Sequence, residues 1–425
     1  MDTFVLIVLL LGFFLSTTPI GVAFIATTAI LYLAFTDIPL LTIANGLFSK
    51  LDSFPLEAVL FFILLGNLMT RGDSSKYLIN FTKTLMHGLP GGLGIAGITS
   101  CAIFGAISGS GTATVVAIGT ILVPAMVEEG YDKSFSVGLL TSSAILGVII
   151  PPSIIMILYS VVANVSMAKL FLGGFIPGIL IAAALSVYTF WVRRKQEVEV
   201  KAARPPKAVF NAARQAVWAL FLPFLILGGI YGGVFTPTEA AVAGCVYAVI
   251  IECFIHRTLD VRKILEVLKS AGITTGTLLI TLAGASIFSD YLTLKQIPQE
   301  LSAFVTNTIK SPAAFLLMTN LLFLFLGTFI DGLSAIIVVA PLLVPTVLAL
   351  NIDPIFLGVI LTINLGIGYC TPPLGGNLFV ASLVLRESYA NVARAVIPTI
   401  IIYLIMLAVF NFFPKLITFL PNLIM

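Results

Sequence analysis

Two pairs of consecutive prolines carry the chemistry of this chain, Pro151-Pro152 and Pro372-Pro373. Proline has no N–H to give to the carbonyl four residues earlier. In a helix, Pro151 therefore orphans the carbonyl of Gly147 and Pro152 that of Val148, and Pro372 and Pro373 do the same to Gly368 and Tyr369. Each pair has a glycine-rich stretch upstream. Phe104-Gly105-Ala106-Ile107-Ser108-Gly109-Ser110-Gly111-Thr112 interrupts an uncharged run, and Leu326-Gly327-Thr328-Phe329-Ile330-Asp331-Gly332 holds the matching place. Freed carbonyls, serine hydroxyls and a carboxylate make oxygen-rich pockets, which in a dry setting suit a small hard cation such as sodium. The bland readings are a proline kink resatisfied by its neighbours and close helix packing through small residues. A repeated Pro-Pro beside a hairpin favours the ion site, and packing does not explain Asp331. Two roles compete for Asp331: a cap on the helix that starts near Leu333, or negative charge that helps couple a cation to movement.

The elements that position these residues repeat. A shift of 221 residues lays Pro124 on Pro345, Pro151-Pro152 on Pro372-Pro373 and Pro177 on Pro398 without a gap. Asp132 then falls on Asp353, Gly147 on Gly368, Thr141 on Thr362 and Gly111 on Gly332. Internal repeats of this kind mark secondary transporters. The expected plan is a first half over about 1–192, a basic linker at 193–214 and a second half over 215–425. Each half is expected to hold a re-entrant helical hairpin (about 90–127 and 311–350) and a broken helix (about 134–165 and 355–386). Non-helical backbone at membrane depth survives only where it faces protein or a water-filled cavity. The amphipathic stretches Leu259–Lys269 and Lys76–His87 read as helices in the membrane interface or as ordinary connector helices.

Composition sets the solvent. Of 425 residues 59% are hydrophobic and 10% charged, against about 25% charged in a soluble domain. Ser134–Ala168 and Leu170–Val192 hold no charge, and runs of this length span a bilayer as helices. The apolar run from Phe4 to about Phe35 is too long for a signal-peptide core and reads as membrane-embedded. The loop with Arg193, Arg194, Lys195, Lys201, Arg204, Lys207 and Arg214 against Glu197 and Glu199 is expected in the cytoplasm. A nucleic-acid or headgroup patch is the lesser reading, because the loop joins two spans and lacks interleaved aromatics. Cys101, Cys245, Cys253 and Cys370 read as buried thiols, and His87 and His256 have no zinc-site spacing with them. No P-loop and no Gly-x-Ser-x-Gly occur, which speaks against a nucleotide-driven pump and against an intramembrane enzyme.

Phe104-Gly105-Ala106-Ile107-Ser108-Gly109-Ser110, Ile149-Ile150-Pro151-Pro152-Ser153, Gly66-Asn67-Leu68-Met69 and Thr371-Pro372-Pro373-Leu374-Gly375 resemble the large membrane subunit of the tripartite ATP-independent periplasmic (TRAP) transporters. The resemblance covers nearly the whole chain. It implies an all-α polytopic membrane protein with two inverted repeats, a scaffold and an elevator-like transport domain. It implies a sodium-coupled importer of organic acids such as C4-dicarboxylates or sialic acids, set in a bacterial inner membrane and needing no organic cofactor. Its implied partners are a small membrane subunit and a periplasmic solute-binding protein. The family's first sodium site carries onto Ser108, Ser110, Gly147, Ile150 and Pro152, and the second onto Gly327, Gly368, Thr371 and Leu374. A departure is Val148, where many members have proline. No lysine or arginine lies inside the transport elements, Arg386 standing at the very edge of the last, so the carboxylate grip falls to candidates such as Asn364, the hairpin tips and helix N-termini. The runner-up is an autonomous ion-coupled anion carrier without a binding protein.

Overall fold

The computed structural model describes residues 2–16, 18–52, 54–194, 204–309 and 311–425. Among them the regular structure is all helical. Among the described residues eight helices are long and apolar enough to cross a bilayer, or up to ten if each of two bent pairs is one span. A backbone in lipid has only itself to bond, and helices meet that demand segment by segment.

The offset in the sequence reappears as local structure. Asp132 accepts the Phe135 N–H at 2.7 Å and opens helix Lys133–Ser143, while Asp353 accepts the Ile355 N–H at 2.8 Å and opens Pro354–Gly368. Each segment then breaks at its proline pair. The first continues as Leu146–Ile149, runs extended through Ile150, and restarts as Ile154–Val162 with Ser153 as its cap. The second restarts as Gly376–Leu385. Both Pro–Pro peptide bonds are cis. A helical hairpin precedes each break, Gly92–Ser108 with Gly111–Glu128 and Pro312–Phe329 with Gly332–Ala349.

Around these elements lie long helices paired across the two halves. Ile20–Phe35 packs along Val261–Leu294, Phe54–Arg71 along Pro237–Ile250, and Ser74–Leu85 along Pro206–Tyr231. The stretch Leu259–Lys269 is not a separate interface helix. Asp260 accepts the Lys263 N–H at 2.8 Å and starts one continuous helix of 34 residues, Val261–Leu294. At 1.5 Å per residue that is about 51 Å, well beyond the ~30 Å hydrocarbon core. The polar turns around Arg262, Lys263 and Glu266 fit the excess length. Ser74–Leu85 does carry an amphipathic pattern, with Leu78, Ile79 and Thr82 inward.

The basic linker is shorter than the sequence suggests. Arg193 and Arg194 end helix Met167–Arg194, and Pro206–Tyr231 takes up the chain with Lys207 and Arg214. Residues 195–203 lie outside the described ones, and with them the middle of the basic loop. Arg193 is buried: its guanidinium donates to Gly130 O at 3.1 Å and lies 3.8 Å over the Tyr131 ring.

A buried carboxylate joins the halves. Glu252 is 0% exposed. It accepts the N–H groups of Asp73 and Ser74 at 3.0 and 3.1 Å, the Ser74 hydroxyl and the Thr258 hydroxyl at 2.6 Å, and it faces His256 Nδ1 at 3.3 Å. A carboxyl group removed from water is tolerable only with such a donor set.

Candidate cation and solute site

The first hairpin turns because Gly109 adopts a φ of +61°, open to glycine without a Cβ penalty, and its N–H closes the helix on Gly105 O at 2.8 Å. Ser110 is extended and its hydroxyl accepts the Ala113 N–H at 3.4 Å, capping the returning helix. The Ser110 carbonyl gathers the Thr114 hydroxyl at 2.7 Å and the Ser108 hydroxyl at 3.4 Å. Gly147 enters this cluster as bare backbone. A Cβ on it would lie 2.7 Å from Thr114 Oγ1 and 3.0 Å from Ser110 O. A Cβ on Gly109 would lie 2.8 Å from the Pro152 carbonyl oxygen. Ser108, Ser110, Gly147 and Pro152 thus converge on one hairpin tip. Ile150 sits between the last two, its N–H spent on Leu146 O at 2.9 Å. Val148 uses an N–H that proline would lack, donating to Ile145 O at 3.0 Å. Among the described residues no N–H donates to the carbonyls of Gly147 or Val148: the prolines remove the donors four residues on, and no other N–H takes their place.

The second pocket shares the plan and differs in detail. Gly327 and Gly368 meet backbone to backbone, and a Cβ on Gly327 would sit 3.1 Å from Gly368 Cα. The hairpin turns through Ile330 and Asp331 without a left-handed residue. Asp331 Oδ1 accepts the N–H groups of Leu333 and Ser334, both at 3.0 Å, and Oδ2 accepts the Ser334 hydroxyl. The carbonyls expected to be orphaned here are not. Gly368 O accepts the Thr371 N–H at 3.0 Å, a tightened i→i+3 turn, and Tyr369 O accepts the Asn377 N–H at 3.0 Å. The Thr371 hydroxyl donates to Ile367 O at 2.8 Å. Leu374 gives its N–H to Thr328 O at 3.1 Å, and its carbonyl accepts the Tyr389 hydroxyl at 3.2 Å. A carbonyl oxygen has a second lone pair, so these groups can still coordinate a cation.

Between the two tips opens a cavity of about 540 Å³. Its wall takes Asn67 and Thr70 from Phe54–Arg71, Ser108 to Ala113 from the first tip, Thr274 and Leu278 from Val261–Leu294, and Asp331 and Tyr369 from the second half. Gly66 lets helix Phe54–Arg71 close on the first tip, since a Cβ there would lie 3.1 Å from Ser108 O. Among the described residues no lysine or arginine lines the cavity.

Asn364 does not reach this cavity. It is 0% exposed and its amide donates to Asn320 Oδ1 at 2.6 Å and Ile360 O at 2.8 Å, while Asn320 donates on to Asn411 Oδ1 at 3.0 Å. It ties three helices together. Sequence reasoning misses Thr114 and Glu252, and takes from Tyr369 only its carbonyl and not its phenol. Thr114 lies one turn past Ser110, Tyr369 is the phenol beside the second proline pair, and Glu252 is a charge inside an apolar run. Each was visible as a residue type out of keeping with its neighbours.

Comparison with known proteins bears on what the cavity does. Residues 6–416 match the family model of the tripartite ATP-independent periplasmic transporter, DctM component. The C4-dicarboxylate TRAP transporter large permease protein DctM of Rhodobacter capsulatus is 36% identical over 442 aligned residues, covering 100% of both chains. The isethionate TRAP transporter permease protein DctMQ of Oleidesulfovibrio alaskensis is 39% identical over 93% of this chain, and this chain spans 62% of its length. Among solved structures, the YdaH transporter of Alcanivorax borkumensis has the same fold at a TM-score of 0.60 and 13% identity, covering 87% of this chain and 86% of that one.

Proposed function

The chain belongs to the DctM component family of the tripartite ATP-independent periplasmic transporters, and we propose that it moves an organic acid through the central cavity at the expense of a sodium gradient. The observation that carries this reading is the first hairpin tip, where the backbone of Gly147, whose carbonyl no N–H claims among the described residues, packs against the Thr114 hydroxyl and the Ser110 carbonyl, with the Ser108 hydroxyl alongside. Such donors match a dehydrated monovalent cation. A second cation at Gly327, Gly368, Thr371 and Leu374 flanks the same cavity. With no basic side chain in its wall, the acid is held by hydroxyls, by helix N-termini and by the cations themselves, which makes its binding depend on sodium.

The proposal extends to assembly. The acid is a C4-dicarboxylate, a sialic acid or a related anion, delivered by a soluble binding protein to a complex with a small membrane subunit in a bacterial inner membrane. The hairpins and broken helices form the moving, elevator-like part of two inverted repeats, and the paired long helices form its scaffold. The test is uptake by liposomes holding the membrane complex, with its binding protein outside and succinate or N-acetylneuraminate as solute. Uptake is expected only with an inward sodium gradient. Uptake without sodium, or dependent on internal ATP, refutes the reading. Full uptake without the binding protein favours the autonomous carrier.

A further inference from the structure

We propose that Tyr369 is a specificity-determining residue whose hydroxyl donates a hydrogen bond to an anionic oxygen of the transported acid; this rests on the reading of the central cavity as the solute site. Tyr369 follows Gly368 at the end of helix Pro354–Gly368, and its ring lines the cavity. The phenol oxygen accepts the Gly332 N–H at 3.2 Å, which fixes it against the start of helix Gly332–Ala349. The fit is close, because a Cβ on Gly332 would lie 2.7 Å from that oxygen. A tyrosine hydroxyl both accepts and donates. Here the accepting side is used, and among the described residues the hydroxyl proton has no acceptor.

The other hydroxyls of the wall are largely spent. Thr70 donates to Gly66 O at 2.7 Å and Thr274 to Ser270 O at 3.0 Å. Ser108 is turned to the Ser110 carbonyl at 3.4 Å, and Ser110 and Thr112 share one bond of 3.1 Å, leaving one proton between them. That pair and Tyr369 are neighbours: a Cβ on Gly376 would lie 3.9 Å from both the Thr112 methyl and the Tyr369 ring. A donor held by backbone on a residue that lines a cavity with no lysine or arginine in its described wall can turn its proton to a carboxylate or sulfonate oxygen. Asp331 stands at the same end of the cavity and repels an anion that approaches without cations, so a fixed neutral donor there is of particular use.

The test is Tyr369→Phe, which keeps the ring and removes the hydroxyl. Succinate, N-acetylneuraminate and isethionate are titrated into the purified membrane complex at saturating sodium. For the acid that wild type binds, Kd is expected to rise about 10- to 100-fold, the loss of one hydrogen bond to a charged group. The half-saturating sodium concentration and the transport rate at saturating acid should stay within about twofold. An unchanged Kd overturns the proposal. So does a sodium requirement that rises as much as the acid Kd, because the hydroxyl then serves the hairpin and not the solute. The underlying reading fails separately, if wild type binds none of the three acids or if Leu278→Trp, which fills the cavity from helix Val261–Leu294, leaves acid affinity intact.

Discussion

The two proline breaks sit at the same offset and treat their carbonyls in opposite ways. After Pro151-Pro152 the chain enters a new helix at once, with Ser153 as its cap, and among the described residues no N–H returns to the Gly147 or Val148 carbonyl. After Pro372-Pro373 the chain has a longer turn. Gly375 takes a φ of +44°, and the chain doubles back so that the Asn377 N–H meets Tyr369 O. The prolines remove the same donors in both halves. At Gly368 the difference lies before the prolines, where the Thr371 N–H closes an i→i+3 turn while the equivalent Ile150 N–H goes to Leu146 O; at Tyr369 it lies in the longer turn after them. Among the described residues the carbonyls of Gly147 and Val148 in the first break have no N–H partner, and the second break is partly closed on itself.

The largest test of this contrast is steric. A Cβ on Gly105 would run into the Gly147 backbone, with no side chain to swing aside, whereas a Cβ on Gly327 would sit 3.1 Å from Gly368 Cα. Gly105→Ala is expected to cost about 3 kcal/mol or more and Gly327→Ala about 1 kcal/mol, read as melting of the purified protein. Equal losses would show that the two crossings are interchangeable. Next comes cation affinity. Ser108→Ala with Ser110→Ala should raise the half-saturating sodium about tenfold or more. Thr371→Ala, whose hydroxyl already serves Ile367 O, should raise it about threefold or less. The reverse order in sodium-dependent uptake would make the second break the dominant site.

Asp331 has no carboxylate counterpart in the first half, where Ser110 does the capping. Asp331→Ala should destabilise by about 0.5–2 kcal/mol, and Asp331→Asn should be near neutral because the amide oxygen can accept the same N–H groups. A normal melting temperature with a raised sodium requirement in Asp331→Asn would give the charge a coupling role beyond the cap. The smallest effect belongs to Lys133 and Glu387, an ion pair between the start of the first broken helix and the end of the second. The Lys133 ammonium beside it holds the Glu387 carboxyl below the usual carboxylate range. A lowered folded value means that the contribution is complete above that range and fades as pH falls through it. The pair lies near the surface, so Lys133→Ala should cost about 0.2–1 kcal/mol at neutral pH and less in acid.

The legible part of the fold is the part that proline and glycine control. Pro151-Pro152, Pro372-Pro373 and Gly109 act on their own backbone, so the breaks and the first turn could be read from residue types and spacing. The satisfied carbonyls of Gly368 and Tyr369 could not, because one donor is the Thr371 N–H of a tightened turn before the prolines and the other, the Asn377 N–H, comes from a turn whose path depends on Gly375. The placement of Asn364 was equally hidden. An amide in an apolar helix looks the same whether it faces a cavity or, as here, Asn320 of another helix. The 34-residue helix misled by its polar first turns, which resemble a separate element when only local periodicity is considered.

Glu252 has a consequence for the order in which the molecule is made. Its partner Ser74 lies 178 residues earlier in the chain. At about 5–20 residues per second of synthesis, Ser74 and Asp73 emerge about 10–40 seconds before the carboxylate that receives their N–H groups. The corner after helix Phe54–Arg71 is complete only once synthesis has passed into the second half. A nascent chain that stops short of residue 252 leaves those two N–H groups and a serine hydroxyl without their acceptor. The first half, though it repeats the second, cannot finish alone.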